Sequence, residues 1–144
     1  MIVLTTEQLE NHIKDAYGQI RRFAEKEGIF MPLDLAFTEN ISRMGPGPFC
    51  YSDGKGYYYG EVEIRGGVKS EKFVTLFDLA YAIFKTQAQM MAINYRSKHS
   101  LDGKDPRRLT FPKQIELLRI VGEEYARRRE MEIEGILKEA PYKD

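Results

Sequence analysis

The stretch FCYSDGKGYYYGEVEIRGGVKSEKFV, residues 49–74, decides the fold class of this chain. Runs rich in Tyr, Phe, Val and Ile alternate with short clusters of Gly, Asp and Ser, which is the pattern of strands joined by tight turns. The predicted strands are 49–52, 57–65 and 68–74, separated by turns at 53–56 and 66–67. A Gly-Gly pair between two such runs is a hairpin signal. The stretch therefore predicts a three-stranded antiparallel meander.

Alternation along the second predicted strand assigns its side chains to two faces of the sheet. The face expected to be covered carries Tyr58, Gly60, Val62 and Ile64. The face expected to be wet carries Tyr57, Tyr59, Glu61, Glu63 and Arg65. One covered and one wet face is the usual arrangement of an antiparallel sheet.

A helix is predicted before this stretch. Apolar residues recur every three or four positions from about Leu9 to Glu27. Thr5 and Gln8 have the spacing of a capping box, and Gly28 suits the left-handed end of a helix. Between this helix and the meander, residues 33–37 alternate in a way that permits either a short strand or a packed extended segment.

Two long helices are predicted after the meander. The first begins at Thr75, has Asp78 at the capping-box position, and ends near 100–103. The second has Pro112 in its first turn, bends at Gly122, and ends at about residue 139. Grouped strands and grouped helices indicate an α+β fold with the helices packed on one sheet face. The length of 144 residues fits one domain, 1–144.

Composition limits the partners of the chain. The formal net charge is zero, so no general attraction to nucleic acid or anionic lipid is expected. The one cysteine, Cys50, cannot form an intramolecular disulfide, which favours a reducing compartment. The N-terminal segment lacks the basic start and apolar run of a signal peptide, and no apolar window is long enough for a membrane span. A cytoplasmic location is expected.

A search for catalytic residues yields none. Two histidines and one cysteine lack the short spacing of a metal site, so no metal and no cofactor are expected. Cys50 lies in a predicted strand and is interpreted as a small core residue. The Gly-rich segments 45–48 and 53–56 lack the strand–loop–helix context of a phosphate loop and are interpreted as turns. The chain is therefore predicted not to be an enzyme.

The second half of the chain resembles the Immunity protein 63 family, whose members protect bacteria from toxins of polymorphic and contact-dependent competition systems. The resemblance lies in the segments 79–85, 101–118 and 130–144. Its most specific residues are Asp105, Arg107, Arg108, Phe111, Lys113 and Gln114. The family pattern has tryptophan where this chain has Tyr81 and Tyr125, and an acidic residue where it has Pro112.

The resemblance implies a stoichiometric inhibitor that binds the C-terminal domain of a cognate toxin, in an oligomeric state that the sequence leaves open. Exposed loops and the wet sheet face are the predicted interface, because tyrosines alternate there with carboxylates. The predicted interface residues are Asp53, Lys55, Tyr57, Tyr59, Glu61 and Glu63. Asp105, Arg107 and Arg108 are expected instead to tie their loop to neighbouring helix ends.

Two other interpretations of the function remain compatible with the sequence. One is a generic interaction or regulatory module with an unidentified partner. The other is a small enzyme or a nucleic-acid binder, since the Tyr57–Tyr59 run near Lys55 could stack single-stranded bases. The neighbouring acids Glu61 and Glu63 argue against the second.

Overall fold

The structure is a computed structural model that describes residues 2–99 and 101–144. The helices are α1 (Thr6–Lys26), α2 (Leu76–Lys98), α3 (Arg107–Val121) and α4 (Glu123–Glu139). The strands are β1 (Ala36–Phe37), β2 (Gly47–Ser52), β3 (Tyr57–Val62) and β4 (Val68–Val74), and a 3₁₀ turn lies at Ile41–Arg43. They form one sheet in the order β1-β2-β3-β4. The fold is α+β, as the sequence predicts.

The sheet differs from the predicted meander by one strand. β2, β3 and β4 pair antiparallel, but β1 adds a parallel pair, with Ala36 opposite Phe49 and Phe37 opposite Cys50. The prediction of a three-stranded antiparallel sheet is therefore wrong, and the sheet is mixed. β1 is only two residues long and lies within residues 33–37, where the alternation permitted a short strand but could not show that it pairs with β2.

The β3–β4 connection is longer than the predicted two-residue turn. β3 ends at Val62, and the register shifts between Glu61 and Val62. The Glu63 N–H donates to the Gly67 carbonyl over 3.1 Å, and the Gly66 N–H donates to the Glu63 carbonyl over 2.9 Å. Because the strand has ended, Ile64 is 89% exposed and does not share the buried position of Val62.

The predicted ends of α1 and the start of α2 are confirmed by their hydrogen bonds. The Thr5 N–H donates to Gln8 Oε1 over 2.9 Å, and the Gln8 N–H donates to Thr5 Oγ1 over 3.1 Å. Gly28 has φ +70°, the left-handed conformation expected after α1. The Asp78 N–H donates to Thr75 Oγ1 over 3.0 Å at the start of α2. The predicted end of this helix includes Ser100, which lies outside the described residues.

The predicted last helix is two helices. α3 begins at Arg107, so Pro112 is its sixth residue and does not lie in the first turn as predicted. Gly122 separates α3 from α4 in extended backbone with φ 165° and ψ 143°, which is a break where the sequence predicts a bend. Within the described residues, no helix combines the length and apolarity that crossing a membrane requires.

The chain divides into two compact units. The first contains the residues up to Asp15 together with Pro32–Ala82, and so holds the whole sheet. Its core includes Leu9, Ile13, Phe49, Cys50 and Val62. The second contains Ala16–Met31 with Ile83–Asp144, and its core includes Ile20, Phe84, Met91, Leu117 and Leu118.

Gly60 is required where β2, β3 and β4 meet. A Cβ at this position would lie 2.2 Å from the Ser70 carbonyl oxygen and 2.8 Å from Cζ of the buried Phe49 ring. Backbone cannot move aside as a flexible side chain does. Only glycine therefore fits this part of the sheet.

Gly60→Ala is expected to lower the free energy of unfolding by about 1–3 kcal/mol, the cost of forcing extra volume into a packed site. Gly18→Ala is the matched control, because Gly18 lies inside α1 with nothing within 4 Å of its added Cβ. That change should stabilise by about 0.5–1 kcal/mol. Urea unfolding followed by circular dichroism measures both, and equal effects of the two variants would contradict the steric argument.

Candidate functional site

Three aromatic side chains form a row across one face of the sheet. Tyr51 of β2, Tyr58 of β3 and Phe73 of β4 are direct cross-strand neighbours. The Tyr51 and Tyr58 rings stack with centroids 5.0 Å apart, and Phe73 meets Tyr58 edge-on at 5.3 Å. Phe73 is 63% exposed, and both tyrosines are partly exposed. We call these three residues the aromatic row.

Carboxylates surround the hydroxyl groups of the row. Tyr51 donates its hydroxyl to Glu71 Oε1 over 2.8 Å, and the Asp53 carboxylate acts electrostatically on the Tyr58 hydroxyl. Burial and then the Glu71 carboxylate raise the pKa of Tyr51 to about 12, with Glu39 adding to the effect. Burial and the Asp53 charge raise the pKa of Tyr58 in the same direction. The tyrosines therefore remain neutral donors beside negative groups.

Asp53 also organises the β2–β3 turn. Its Oδ1 accepts from the Lys55 N–H over 2.8 Å and from the Gly56 N–H over 3.0 Å. The Lys55 N–H is the largest cause of its lowered pKa, and the Gly56 N–H and Tyr58 add to it. Asp53 thus stays ionised while it links the turn to the aromatic row.

Gly56 allows the Phe73 ring to lie against this turn. A Cβ at Gly56 would lie 2.3 Å from Cε2 and 2.4 Å from Cζ of Phe73. The close approach holds the ring beside Tyr58 although much of it faces water. The row is therefore positioned by the turn as well as by the strands.

The predicted wet face is only partly wet. Tyr57 is 7% exposed, and its hydroxyl accepts from the Leu4 N–H over 2.9 Å. Thr6 at the start of α1 bonds the Ser52 backbone N–H through its Oγ1 over 3.0 Å. The chain entering α1 therefore covers this end of β3, and the prediction that Tyr57 is exposed is wrong. Tyr59 is half-buried.

The other predicted interface residues are exposed. Asp53 and Lys55 lie in the β2–β3 turn, Glu61 lies near the end of β3, and Glu63 follows that strand. The structure thus places Asp53 next to the aromatic row and the two glutamates at the far end of β3. It does not bring all six predicted residues to one surface.

Asp105 is the centre of a hydrogen-bonded network that joins the start of α3 to the C-terminal segment. Its carboxylate accepts from Arg107 Nε and Nη2, the latter over 2.7 Å, and from the Arg107 backbone N–H over 2.9 Å. It also accepts from the Lys143 N–H over 2.9 Å. The Arg107 side chain and these N–H groups hold the pKa of Asp105 far below its usual range.

The arginines of the same segment bind the chain after α4. Arg107 donates to the Ala140 and Pro141 carbonyls over 2.8 and 2.9 Å. Arg108 donates from Nε to Asp144 Oδ2 over 2.7 Å and lies 4.2 Å from the centroid of the Tyr142 ring. These groups connect chain segments, because their donors bond the backbone carbonyls and the carboxylate of the residues after α4.

Lys113 is a buried ammonium with two carboxylate partners. It is 5% exposed and donates to Glu27 Oε1 and Glu116 Oε2, each over 2.9 Å. Its Nζ lies 4.2 Å from the Tyr95 ring centroid and 5.4 Å from that of Phe23. Burial alone would lower the pKa of Lys113, but Glu116 and Glu27 outweigh burial and raise it.

Gln114 and Phe111 complete the set of family-motif residues. The buried Gln114 accepts at Oε1 from Arg129 Nε over 2.8 Å. Arg129 is also buried, and its Nη1 donates to Glu132 over 3.1 Å. Phe111 is 8% exposed and lies near the Tyr142 ring. All six motif residues thus make contacts within the second unit.

The cysteine and the histidines, residue types that often act in catalysis, lie apart from the aromatic row or inside the core. Cys50 is fully buried in β2, and burial raises the pKa of its thiol to about 12. His12 is exposed on α1, and His99 stacks on Tyr95 with centroids 4.1 Å apart. Among the described residues, no group of three or more His, Cys, Asp or Glu side chains could hold a metal ion.

Sequence reasoning missed Tyr51, Glu71 and Phe73 as surface candidates. Each belongs to a predicted strand, but what unites them is the pairing of β2, β3 and β4. Tyr58 was assigned to the face expected to be covered, and it is half-exposed. If the register of the two hairpins had been known, the sequence would have shown that Tyr51, Tyr58 and Phe73 lie opposite one another.

The fold and this surface define a small α+β protein with an exposed aromatic sheet face bordered by acids. A family model described as Immunity protein 63 matches residues 54–135, more than half of the chain. The chain belongs to the Immunity protein 63 family. No curated protein and no solved structure matches it.

Proposed function

We propose that this protein neutralises a cognate bacterial toxin by binding the C-terminal toxic domain, without catalysing a reaction. Membership of an immunity-protein family is the observation that supports this most strongly. In this proposal the protein acts in the cytoplasm, where it meets the toxin, and needs no metal or cofactor. Inhibition then depends on how much of the toxin surface is covered. The affinity depends on a few well-packed contacts.

The side-chain chemistry is consistent with binding. A nucleophilic thiol must ionise readily, and the high pKa and burial of Cys50 oppose that. The hydroxyls of Tyr51 and Tyr58 remain neutral and can hydrogen-bond. Partly exposed tyrosines with fixed hydroxyl groups are typical of protein interfaces.

We propose that the toxin-binding surface lies on the β2–β3–β4 side of the first unit. Of the residues predicted from the sequence, Asp53, Lys55, Glu61 and Glu63 stay in this proposal because their side chains are exposed. Tyr59 is half-buried, so only the exposed part of its side chain belongs to the proposed toxin-binding surface. Tyr57 leaves the proposal, since its ring is buried and its hydroxyl is bonded to Leu4.

The proposed function is tested by co-expression with the toxin domain encoded beside this chain. Growth should be restored, and the two proteins should co-purify in equal amounts. The double variant Glu61→Lys, Glu63→Lys should weaken protection. A toxin surface that binds the two glutamates is basic, so it would repel the two introduced lysines. The matched control, Glu134→Lys with Glu139→Lys on α4, changes net charge equally and should protect fully.

Each outcome of this experiment is decisive for one part of the proposal. A wild-type chain that neither restores growth nor co-purifies would reject toxin neutralisation. Normal protection by the Glu61/Glu63 variant would remove those two residues from the interface and leave the function standing.

We further propose that residues 1–144 behave as one cooperative domain. Urea unfolding should then give a single transition with the same midpoint by far-ultraviolet circular dichroism and by tyrosine fluorescence. Tyrosines of the row report the first unit, and Tyr95 and Tyr125 report the second. Two separated midpoints would show two independently unfolding units.

A further inference from the structure

We propose that the aromatic row, with Glu71 and Asp53 beside it, is the docking surface for a basic protein segment, in which arginine or lysine side chains contact the row. The inference rests on the proposed function and identifies the chemistry of the toxin surface that this face recognises. The row and these two acids are called the acidic aromatic face below.

The rings of the aromatic row are exposed to solvent. Phe73, at 63% exposed, lies beside Tyr58, which stacks on Tyr51, so the three rings follow one another across the sheet as one apolar surface. Isolated exposed apolar residues are ordinary on a protein surface, but contiguous apolar surface rimmed by polar groups marks an interaction site. Carboxylates and tyrosine hydroxyls form that rim here.

The side chains of the aromatic row are already held in place before a partner binds. Tyr51 is held by its stacking on Tyr58 and its 2.8 Å hydrogen bond to Glu71. Phe73 is held between the Tyr58 ring and the Gly56 backbone. Binding therefore has little side-chain freedom to remove, and the entropy lost at such positions is a major cost of association.

The charges beside the row determine the class of partner. Glu71, Asp53 and Glu39 are the charged groups that act on the tyrosine hydroxyls, and all three are acidic. The whole chain is neutral, so these acids are a local feature of the row, although one basic residue, Lys55, lies near Phe73. An arginine side chain matches the face in two ways, since its guanidinium stacks on an aromatic ring and donates to a carboxylate.

The same charges argue against nucleic acid as the occupant. Aromatic rings on a sheet can stack bases, but such sites combine the rings with a positive groove for the phosphates. Here Glu71 is bonded to Tyr51 and Asp53 acts on Tyr58, and both carboxylates repel phosphate. A basic protein segment gains from both the rings and the acids.

The test uses the C-terminal domain of the toxin encoded beside this chain, purified as a catalytically inactive variant, in binding measurements with the full chain. Phe73→Ala and Glu71→Gln should each weaken binding by about tenfold or more, the level of interface hot-spot residues. Wild-type association should slow as salt is added, and Glu71→Gln should reduce that dependence.

Matched controls come from the exposed surface of α4. Met131 is 73% exposed and Glu134 is exposed, so Met131→Ala and Glu134→Gln remove an apolar and an acidic group elsewhere. Both should bind as wild type does. Urea midpoints within error of wild type would show that Phe73→Ala and Glu71→Gln fold normally, as expected for exposed side chains.

Unchanged affinity in both Phe73→Ala and Glu71→Gln would overturn the inference while toxin neutralisation by the wild-type chain still stands. Binding of a fluorescent oligouridine that depends on Phe73 would overturn it in favour of nucleic acid. Failure of the wild-type chain to bind the toxin domain at all would reject the proposed function itself.

Discussion

Lys113→Ala is expected to lower the free energy of unfolding by about 3 kcal/mol, the lower end of the cost of breaking a buried ion pair. The lower end applies because Glu27 and Glu116 keep side-chain exposures of 28% and 48% and regain water when the ammonium is removed. The change also removes a cation that lies 4.2 Å from the Tyr95 ring centroid.

Lys113→Met separates the loss of charge from the loss of packing. Methionine retains an unbranched apolar stem that can pack against Phe23 and Tyr95, so less than half of the alanine effect is expected. Lys138→Ala is the matched control, because Lys138 is 75% exposed and pairs with Glu134 only at 3.8 Å. It should change stability by less than about 0.5 kcal/mol. Urea unfolding gives all three values, and an alanine effect as small as that of the control would show that the buried ion pairs of Lys113 contribute little to stability.

The Lys113 contribution should also depend on alkaline pH. Glu116 and Glu27 raise the pKa of Lys113 in the folded chain despite its burial. A raised folded pKa means that the stabilisation is fully present below the ordinary lysine pKa, about 10.4, and is lost as pH rises through the folded value. The stability difference between wild type and Lys113→Met should therefore shrink above about pH 10.

The local features of the fold could be predicted from the sequence because they depend on near neighbours. The stripe on α1, including Leu9, Ile13 and Ile20, is buried as its helical spacing predicts. The capping pair Thr5 and Gln8 bond within one turn. Periodicity and capping are read over a few residues, so no knowledge of the tertiary fold is needed.

The covering of the sheet could not be predicted in the same way. Alternation shows that Tyr57 and Tyr59 share a face, but it does not show which face another segment covers. Tyr57 is buried because the chain before α1 returns to it from 53 residues away, through the Leu4 N–H. The sequence left residues 33–37 open between a short strand and a packed extended segment for a related reason, since β1 is defined by its pairing with Phe49 and Cys50.

The candidate site required the same non-local information. Tyr51, Tyr58 and Phe73 become one surface only through the register of three strands. The contact of Phe73 with the β2–β3 turn depends on the missing side chain at Gly56, which the sequence shows only as a turn residue. The acids Asp53 and Glu71 are ordinary surface residues until the fold places them beside tyrosine hydroxyls.

Asp105→Asn is expected to be among the most destabilising single changes at a polar residue of this chain. Both carboxylate oxygens accept hydrogen bonds, from Arg107 and from the Lys143 N–H. Asparagine keeps one acceptor but directs an NH₂ group at donors that then lack a partner. The urea midpoint should fall clearly below that of Asp15→Asn, an exposed control on α1. Equal midpoints would show that the network around Asp105 contributes little.

The dependence of stability on acidic pH separates the contribution of the Asp105 charge from the contribution of its side-chain shape. In the folded chain the Arg107 side chain holds the pKa of Asp105 far below its ordinary value, and the Lys143 and Arg107 N–H groups add to this effect. The unfolded chain therefore binds a proton at Asp105 more readily than the folded chain does. The stabilisation is therefore present above the ordinary aspartate pKa, about 3.9, and is lost as pH falls below it toward the folded value. Wild type should lose stability steeply below about pH 4, and Asp105→Asn, which has no proton to bind there, should show a shallower loss. Parallel stability curves for the two proteins, measured by urea unfolding from neutral to acidic pH, would mean that the ionised carboxylate is not what joins the start of α3 to the chain after α4.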